Sequence, residues 1–298
     1  MAALHRPGGP EPEDFVHTRR AVAGLFFAGY ALASVSAAAE PTRTSAEGLV
    51  TGEVKISIAA GAQLPAYVAR PKGRGRHPVV LVVSEVFGVH EYIRDVCRRL
   101  AKLGYVAVAP AFFFRAGDPA PLTDFAEVRK IVETATHEQV MDDIAATLRW
   151  AEGQKFADAR RIAITGFCWG GAVVWMAAAR FPQIKAGAAW YGKLTHPAPD
   201  GFLGKEERPW PVDVAGELKA PVLGLYAGED KGIPPSDIEA MRTALKAAGR
   251  RDEIVVYPGV QHGFHADYRD SYDKAAAESG WARMLAHFRA NGVPPGAA

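Results

Sequence analysis

One cysteine lies in a glycine-rich segment whose spacing suits nucleophilic chemistry. The segment Gly166-Phe167-Cys168-Trp169-Gly170-Gly171 follows a strand-like apolar run and precedes a helical pattern. Its G-x-C-x-G spacing equals that of the nucleophile elbow G-x-S-x-G, with cysteine in place of serine. Glycines on both sides leave room for the tight turn that lifts a nucleophile above a sheet. The alternative is a buried structural cysteine beside a glycine-rich turn, because buried cysteine is common.

An acid and a histidine follow this cysteine in the chain. Asp230 comes shortly after one predicted buried strand, and His262 comes shortly after the next. Glu229, beside Asp230, is the alternative acid. The order nucleophile, acid, histidine is that of the α/β-hydrolases. It predicts acyl transfer with Cys168 as the nucleophile, His262 as the base and Asp230 as the group that orients the histidine.

Strands and helices must position these residues at one edge of a sheet. Residues 54–58 and 64–68 alternate like a hairpin, and apolar runs then alternate with helical patterns from residue 79 to residue 290. This predicts an α/β fold, a mostly parallel central sheet with helices on both faces, in one domain over residues 46–291. Two irregular stretches, 112–125 and 193–213, follow strands, where open α/β sheets bind ligands.

A second carboxylate ends the first buried strand, in Ser84-Glu85-Val86-Phe87-Gly88. Taken alone, Glu85 is more consistent with a solvated carboxylate at the end of a strand than with a catalytic group. The combination of Glu85-Val86-Phe87-Gly88 with the cysteine segment, Asp230 and His262-Gly263-Phe264 resembles the dienelactone hydrolase (carboxymethylenebutenolidase) family over about residues 50–290.

The resemblance implies an α/β-hydrolase fold with a Cys-His-Asp triad and a thioester acyl-enzyme. It implies that Glu85 contacts the Cys168 thiol in the resting enzyme and helps to form the thiolate. A neighbouring carboxylate disfavours a thiolate, so activation would wait for substrate. The backbone N–H groups of Val86 and Trp169 would form the oxyanion hole.

The same family binds the carboxylate of its substrate with arginines. Arg115 matches one of these in position, and the second is expected a few residues after His262. There Ala266 stands near the expected place and Arg269 lies three residues further. An apolar pocket is predicted from the aromatic residues Phe87, Phe113, Trp169 and Trp210.

Composition excludes several other classes of protein. The 298 residues include 35 Lys+Arg and 33 Asp+Glu, a net charge of +2 without a long basic run, so nucleic acid is not an expected partner. Two cysteines, Cys97 and Cys168, cannot build a disulfide framework, and Cys97 is predicted to lie in the core. His265 follows His262 without companion ligands, so neither a metal nor a cofactor is expected.

The first 39 residues are predicted to be an export signal. Arg19-Arg20 precedes the apolar stretch 21–35, and the small residues 36–39 suit a signal peptidase. The arginine pair is similar to a bacterial twin-arginine signal. The protein is therefore expected in the periplasm or secreted, without stable membrane insertion. The alternatives are an uncleaved N-terminal anchor or a wrongly chosen start codon, and the alternative location is the cytoplasm.

These observations predict a monomeric hydrolase of a small ester or lactone, with Arg115 suggesting an anionic substrate. A non-catalytic small-molecule binding protein on the same fold is the alternative. A redox protein that uses both cysteines is a third hypothesis.

Overall fold

An eight-stranded sheet runs through the part of the chain that the computed structural model describes, residues 42–296. The strands are β1 (Leu49–Ser57), β2 (Gln63–Pro71), β3 (His77–Val83), β4 (Val106–Pro110), β5 (Ala157–Phe167), β6 (Ile184–Trp190), β7 (Val222–Ala227) and β8 (Ile254–Tyr257). Their order across the sheet is β1-β2-β4-β3-β5-β6-β7-β8. β2 pairs antiparallel with both β1 and β4, and all other pairs are parallel.

Six α-helices of the described part of the chain pack on this sheet. They are α1 (Glu91–Lys102), α2 (Phe125–Val132), α3 (His137–Glu152), α4 (Trp169–Arg180), α5 (Pro235–Ala247) and α6 (Lys274–Ala290). Helix α2 was not predicted from the sequence. Its eight residues are too few to show a strong apolar pattern, and they follow an irregular stretch. Its N-terminus is nevertheless capped, since the Asp124 side chain accepts a hydrogen bond from the Ala126 N–H at 2.8 Å.

The core lies on both faces of the sheet, because successive side chains of a strand point to opposite sides. Val79, Leu81 and Val83 of β3 pack in a cluster that includes residues of α2, α3, α4 and α5. Val80 and Val82 pack in the other cluster, with residues of α1 and α6. Both layers are apolar, which explains the continuous β-branched run of β3. The predicted fold class, an α/β fold with helices on both faces, is confirmed.

Individual predictions for core positions differ in outcome. Cys97, in α1, is fully buried in the cluster that contains Val80, as predicted. His77 was expected to be solvated, but it begins β3 and is buried, with its Nδ1 3.1 Å from the carbonyl oxygen of Gly104.

The prediction of an export signal in residues 1–39 lies outside the described residues. Within residues 42–296, the longest and most apolar helices fall short of what a membrane span requires.

Candidate active site

Cys168 occupies a strained turn between β5 and α4. Its φ of 54° is in the left-handed region, and α4 begins at the next residue. A Cβ at Gly166 would lie 2.3 Å from the carbonyl oxygen of Gly170, and one at Gly170 would lie 2.5 Å from that of Val83. Side chains at these two positions would collide with backbone, so only glycine lets β5, β3 and α4 approach this closely. The geometry is that of a nucleophile elbow.

His262 and Asp230 meet beyond the ends of β8 and β7. The His262 Nδ1 and an Asp230 carboxylate oxygen are 2.7 Å apart, and both side chains are buried. The other oxygen of Asp230 accepts hydrogen bonds from the N–H groups of Gly232 at 2.9 Å and Ile233 at 3.2 Å. These contacts fix the carboxylate that orients the imidazole. Glu229, the alternative acid, is exposed.

The charge environment of His262 favours its protonated form. Burial lowers its pKa, but the charge of Asp230, the charge of Cys168 and hydrogen bonds with both residues raise it, to about 9. The imidazole therefore interacts with both Asp230 and Cys168. Cys168 and His262 also line the same cavity. The structure thus brings together the three residues that the sequence placed in the triad.

Glu85 is held by a buried arginine. One of its oxygens lies 2.8 Å from Arg269 Nη2, and the other accepts a hydrogen bond from the Tyr268 hydroxyl at 2.6 Å. His90 Nε2 lies 3.5 Å from the second oxygen. Complete burial raises the pKa of Glu85, but Arg269, His90 and Tyr268 outweigh it and lower the pKa to about 2.

Arg269 and Tyr268 thus hold the carboxylate that the resemblance places against the Cys168 thiol. The part of Glu85 in thiolate formation stays a prediction.

The two backbone groups expected to form the oxyanion hole lie at the same cavity. Trp169 is the first residue of α4, where N–H groups lack an acceptor within the helix. Val86 follows Glu85 in the segment just after β3, and both Val86 and Trp169 line the cavity with Cys168.

The predicted substrate-binding residues divide into two groups. Phe87 and Arg269 line the cavity, and the Arg269 guanidinium lies 5.4 Å from the Phe87 ring centroid. Arg115 does not belong to the described cavity lining. Its two terminal nitrogens each lie 2.8 Å from an oxygen of Asp143, which is fully buried in α3. Arg115 is therefore a structural ion-pair partner of α3 in this structure, and its predicted contact with substrate has no support here.

Sequence reasoning missed two cations of the cavity wall, Lys193 and Arg208. Both come from the irregular stretch 193–213, together with the lining residues Phe202, Leu203 and Trp210. The signal in the sequence was the position of this stretch after a strand, which indicates a ligand-binding loop without indicating which side chains face inward.

His265 has a structural environment. Its Nδ1 lies 2.6 Å from the Tyr92 hydroxyl, and its ring stacks on Phe167 and Trp281 at centroid distances of 5.2 and 5.6 Å. Burial lowers its pKa to about 3, so the ring is neutral at physiological pH. Across residues 42–296, His, Cys, Asp and Glu side chains form no group of three or more that would hold a metal ion.

The sheet order, the elbow and the acid and histidine at neighbouring strand ends define an α/β-hydrolase. The model of the dienelactone hydrolase family matches residues 64–292, and the chain belongs to this family.

Close relatives have names from the same family. A Methylorubrum extorquens protein named "Putative carboxymethylenebutenolidase" is 48% identical over 277 residues, which cover 92% of this chain and 93% of the relative. An Escherichia coli protein of the same name is 47% identical, over 89% of this chain and 96% of the relative. A crystal structure described as "Putative Dienelactone Hydrolase" from Klebsiella pneumoniae has a TM-score of 0.75 at 48% identity, and covers 81% of this chain and 98% of that one. The chain is thus a hydrolase that acts on lactone or ester bonds.

Proposed function

We propose that the protein hydrolyses a small carboxylic ester or lactone through a thioester on Cys168. The observation that supports this most strongly is that His262, held by Asp230 at 2.7 Å, interacts with Cys168 and lines the same cavity. Membership of the dienelactone hydrolase family indicates that the bond hydrolysed is an ester or a lactone. The geometry of the site supports Cys168 as the nucleophile.

The reaction follows from this arrangement. The Cys168 sulfur attacks the carbonyl carbon after its proton has passed to His262, and the carbonyl oxygen becomes an oxyanion against the N–H groups of Val86 and Trp169. His262, which now carries the proton from Cys168 and is stabilised in this form by Asp230, gives that proton to the departing alkoxide. Water then attacks the thioester carbonyl while His262 accepts one of its protons, the C–S bond breaks, and His262 returns the proton to the Cys168 sulfur as the carboxylic acid leaves.

The substrate is expected to be small and to have an anionic group. The cavity wall combines apolar side chains with cations, which suits a hydrocarbon skeleton with a negative substituent. The name carboxymethylenebutenolidase, given to the relatives, denotes action on a lactone with a carboxyl-bearing substituent.

The direct test is hydrolysis of short p-nitrophenyl esters and of an enol lactone by Cys168→Ala and His262→Ala. We expect both variants to lose turnover at least about 10³-fold, because the nucleophile and its base act as one unit. Glu229→Gln is the matched control, since this exposed acid stands beside Asp230.

Acid quenching of the parent during turnover should leave an acyl group on the Cys168 peptide. Retained hydrolysis in Cys168→Ala would refute the proposed nucleophile, and retained hydrolysis in His262→Ala would refute the proposed base. Absence of turnover in the parent on a broad ester panel would favour a binding protein.

We also propose that residues 1–39 direct export and that the mature protein is a monomer. Cell fractionation with intact-mass measurement tests the first, and a shortened protein in the periplasmic fraction is expected. Light scattering tests the second, and a mass near twice that of the chain would contradict it.

A further inference from the structure

Arg208 is a buried cation in the wall of the active-site cavity. Its side chain is 9% exposed, and its Nε is buried without a hydrogen-bond partner among residues 42–296. Its guanidinium carbon lies 4.2 Å from the centroid of the Trp210 ring. The indole face therefore supports the plane of the guanidinium and limits its orientation.

Within residues 42–296, the carboxylate that faces Arg208 is that of Glu206, and it is a weak partner. Glu206 lies 3.5 Å from Arg208 Nη1, beyond the usual length of a charge-assisted hydrogen bond. The other oxygen of Glu206 accepts a hydrogen bond from the His137 N–H at 2.6 Å, at the start of α3. Burial lowers the pKa of Arg208 more than Glu206 raises it. The guanidinium is thus desolvated without full compensation, and an additional anion would stabilise it.

The other cations near the cavity are closely paired. Arg269 lies against Glu85 at 2.8 Å, and Lys193 lies 2.6 Å from Asp237. Arg115 is engaged with Asp143 outside the described cavity lining. Among the cations considered, Arg208 is therefore the one whose donors are least satisfied by the protein.

We propose that Arg208 binds a carboxylate of the substrate and thereby determines specificity for anionic esters or lactones. Phe202, Leu203 and Trp210, which line the cavity with Arg208, would pack against the hydrocarbon skeleton. Because Glu206 already offsets part of the charge, a monoanion such as a carboxylate fits better than a phosphate dianion. This inference rests on the proposed function for the reaction, but the binding of the anion can be measured separately.

The kinetic test compares a charged and a neutral ester of similar size, p-nitrophenyl hydrogen glutarate and its methyl ester, after subtraction of the uncatalysed hydrolysis, which the free carboxylate of the first accelerates. We expect Arg208→Gln to lower kcat/KM about 10- to 100-fold for the anionic ester and less than about threefold for the neutral one, as expected for loss of charge-assisted hydrogen bonds. Arg208→Lys should fall between, because lysine keeps the charge without the planar fork. Arg180→Gln, which removes a cation from an exposed pair with Glu138, should leave the ratio of the two values unchanged.

A binding test makes the result independent of catalysis. Titration calorimetry of monomethyl glutarate with the parent, Arg208→Gln and Arg208→Lys should show about 10-fold weaker binding for the glutamine variant. Methyl phosphate, tested alongside, should bind more weakly to the parent than monomethyl glutarate does. Circular dichroism and thermal melting show whether each variant is folded. If Arg208→Gln does not fold, the comparison is made between the parent and Arg208→Lys.

The outcomes separate the two proposals. Equal losses for the two esters, or equal binding of the anion by parent and variants, would overturn the assignment of Arg208. Absence of anion binding by the parent would overturn it as well. Hydrolysis retained in Cys168→Ala would refute the proposed nucleophile, and the calorimetry would still decide whether Arg208 holds the anion.

Discussion

Glu85 and Arg269 form a buried ion pair between segments that lie 184 residues apart in the chain. Their side chains are 0% and 4% exposed, and the nitrogen–oxygen distance is 2.8 Å. The pair connects the end of β3, which precedes Val86, to the loop that contains His262. This ion pair therefore links the segment of Val86, the expected oxyanion donor, to the segment of His262, the expected base.

Glu85→Gln should destabilise the protein by about 3 kcal/mol at pH 7, because it leaves Arg269 buried without its countercharge. Urea unfolding measures this. Glu253→Gln is the control, since the Glu253–Arg283 pair is about half exposed and should contribute less than about 1 kcal/mol.

The same pair makes a prediction about pH. The folded pKa of Glu85, about 2, lies below its ordinary value of 4.5. Its contribution to stability is therefore present above about pH 4.5 and is lost as the pH falls towards 2. The stability difference between parent and Glu85→Gln should shrink over this range. A difference at pH 7 below about 0.5 kcal/mol would show that the ion pair is not stabilising.

Asp230→Asn should lower the pKa of His262 from about 9 towards its ordinary value of 6.5, because a neutral amide cannot favour the imidazolium. Nuclear magnetic resonance titration of the ring measures this, with the exposed Glu229→Gln as control. In the parent, the raised pKa contributes stability that is complete below about pH 6.5 and lost as the pH rises through about 9. An unchanged titration in Asp230→Asn would contradict the assigned orientation of the imidazole.

The same Asp230→Asn variant should reduce kcat about 10²- to 10⁴-fold, because the amide favours the wrong tautomer of the histidine. Steady-state kinetics on a p-nitrophenyl ester checks this. Activity within about threefold of the parent would contradict a role for Asp230 in the triad.

Gly170→Ala should destabilise the protein although alanine favours a helix by about 1 kcal/mol over glycine. The added Cβ would lie 2.5 Å from the carbonyl oxygen of Val83 and 2.6 Å from that of Ser84, and neither backbone atom can move easily. We expect a loss of about 2 kcal/mol or more in thermal or urea unfolding. Gly52→Ala is the control, because nothing lies within 4 Å of its added Cβ. A more stable Gly170→Ala would show that the elbow is looser than described.

The two cysteines should differ in reactivity. Cys168 is half-buried at the cavity, whereas Cys97 is fully buried and burial raises its pKa. Iodoacetamide should add once to the native protein, at Cys168, and twice after unfolding in urea. Cys168→Ala should give no native adduct. Peptide mapping by mass spectrometry checks both results, and native labelling of Cys97 would contradict its placement in the core.

The elements that the sequence predicted well are those whose signal is local. The β-branched run of β3 must be buried on both faces, and the hairpin register pairs Val54 with Ala66 within one short segment. Helix α2 was missed because its eight residues give a short amphipathic pattern next to an irregular stretch.

The candidate site divides in the same way. The sequence by itself determined the elbow, because the glycine spacing around Cys168 is a steric requirement of neighbouring residues, and it determined the order of acid and histidine. Only the tertiary structure decided which cations face the cavity. Arg115 forms an ion pair with Asp143 of α3 and is not among the cavity-lining residues. Arg269 lines the cavity but is paired with Glu85, and Arg208 lines it from the irregular stretch 193–213. The physical reason is that charges pair through space, so the partner of an arginine is set by how distant segments pack.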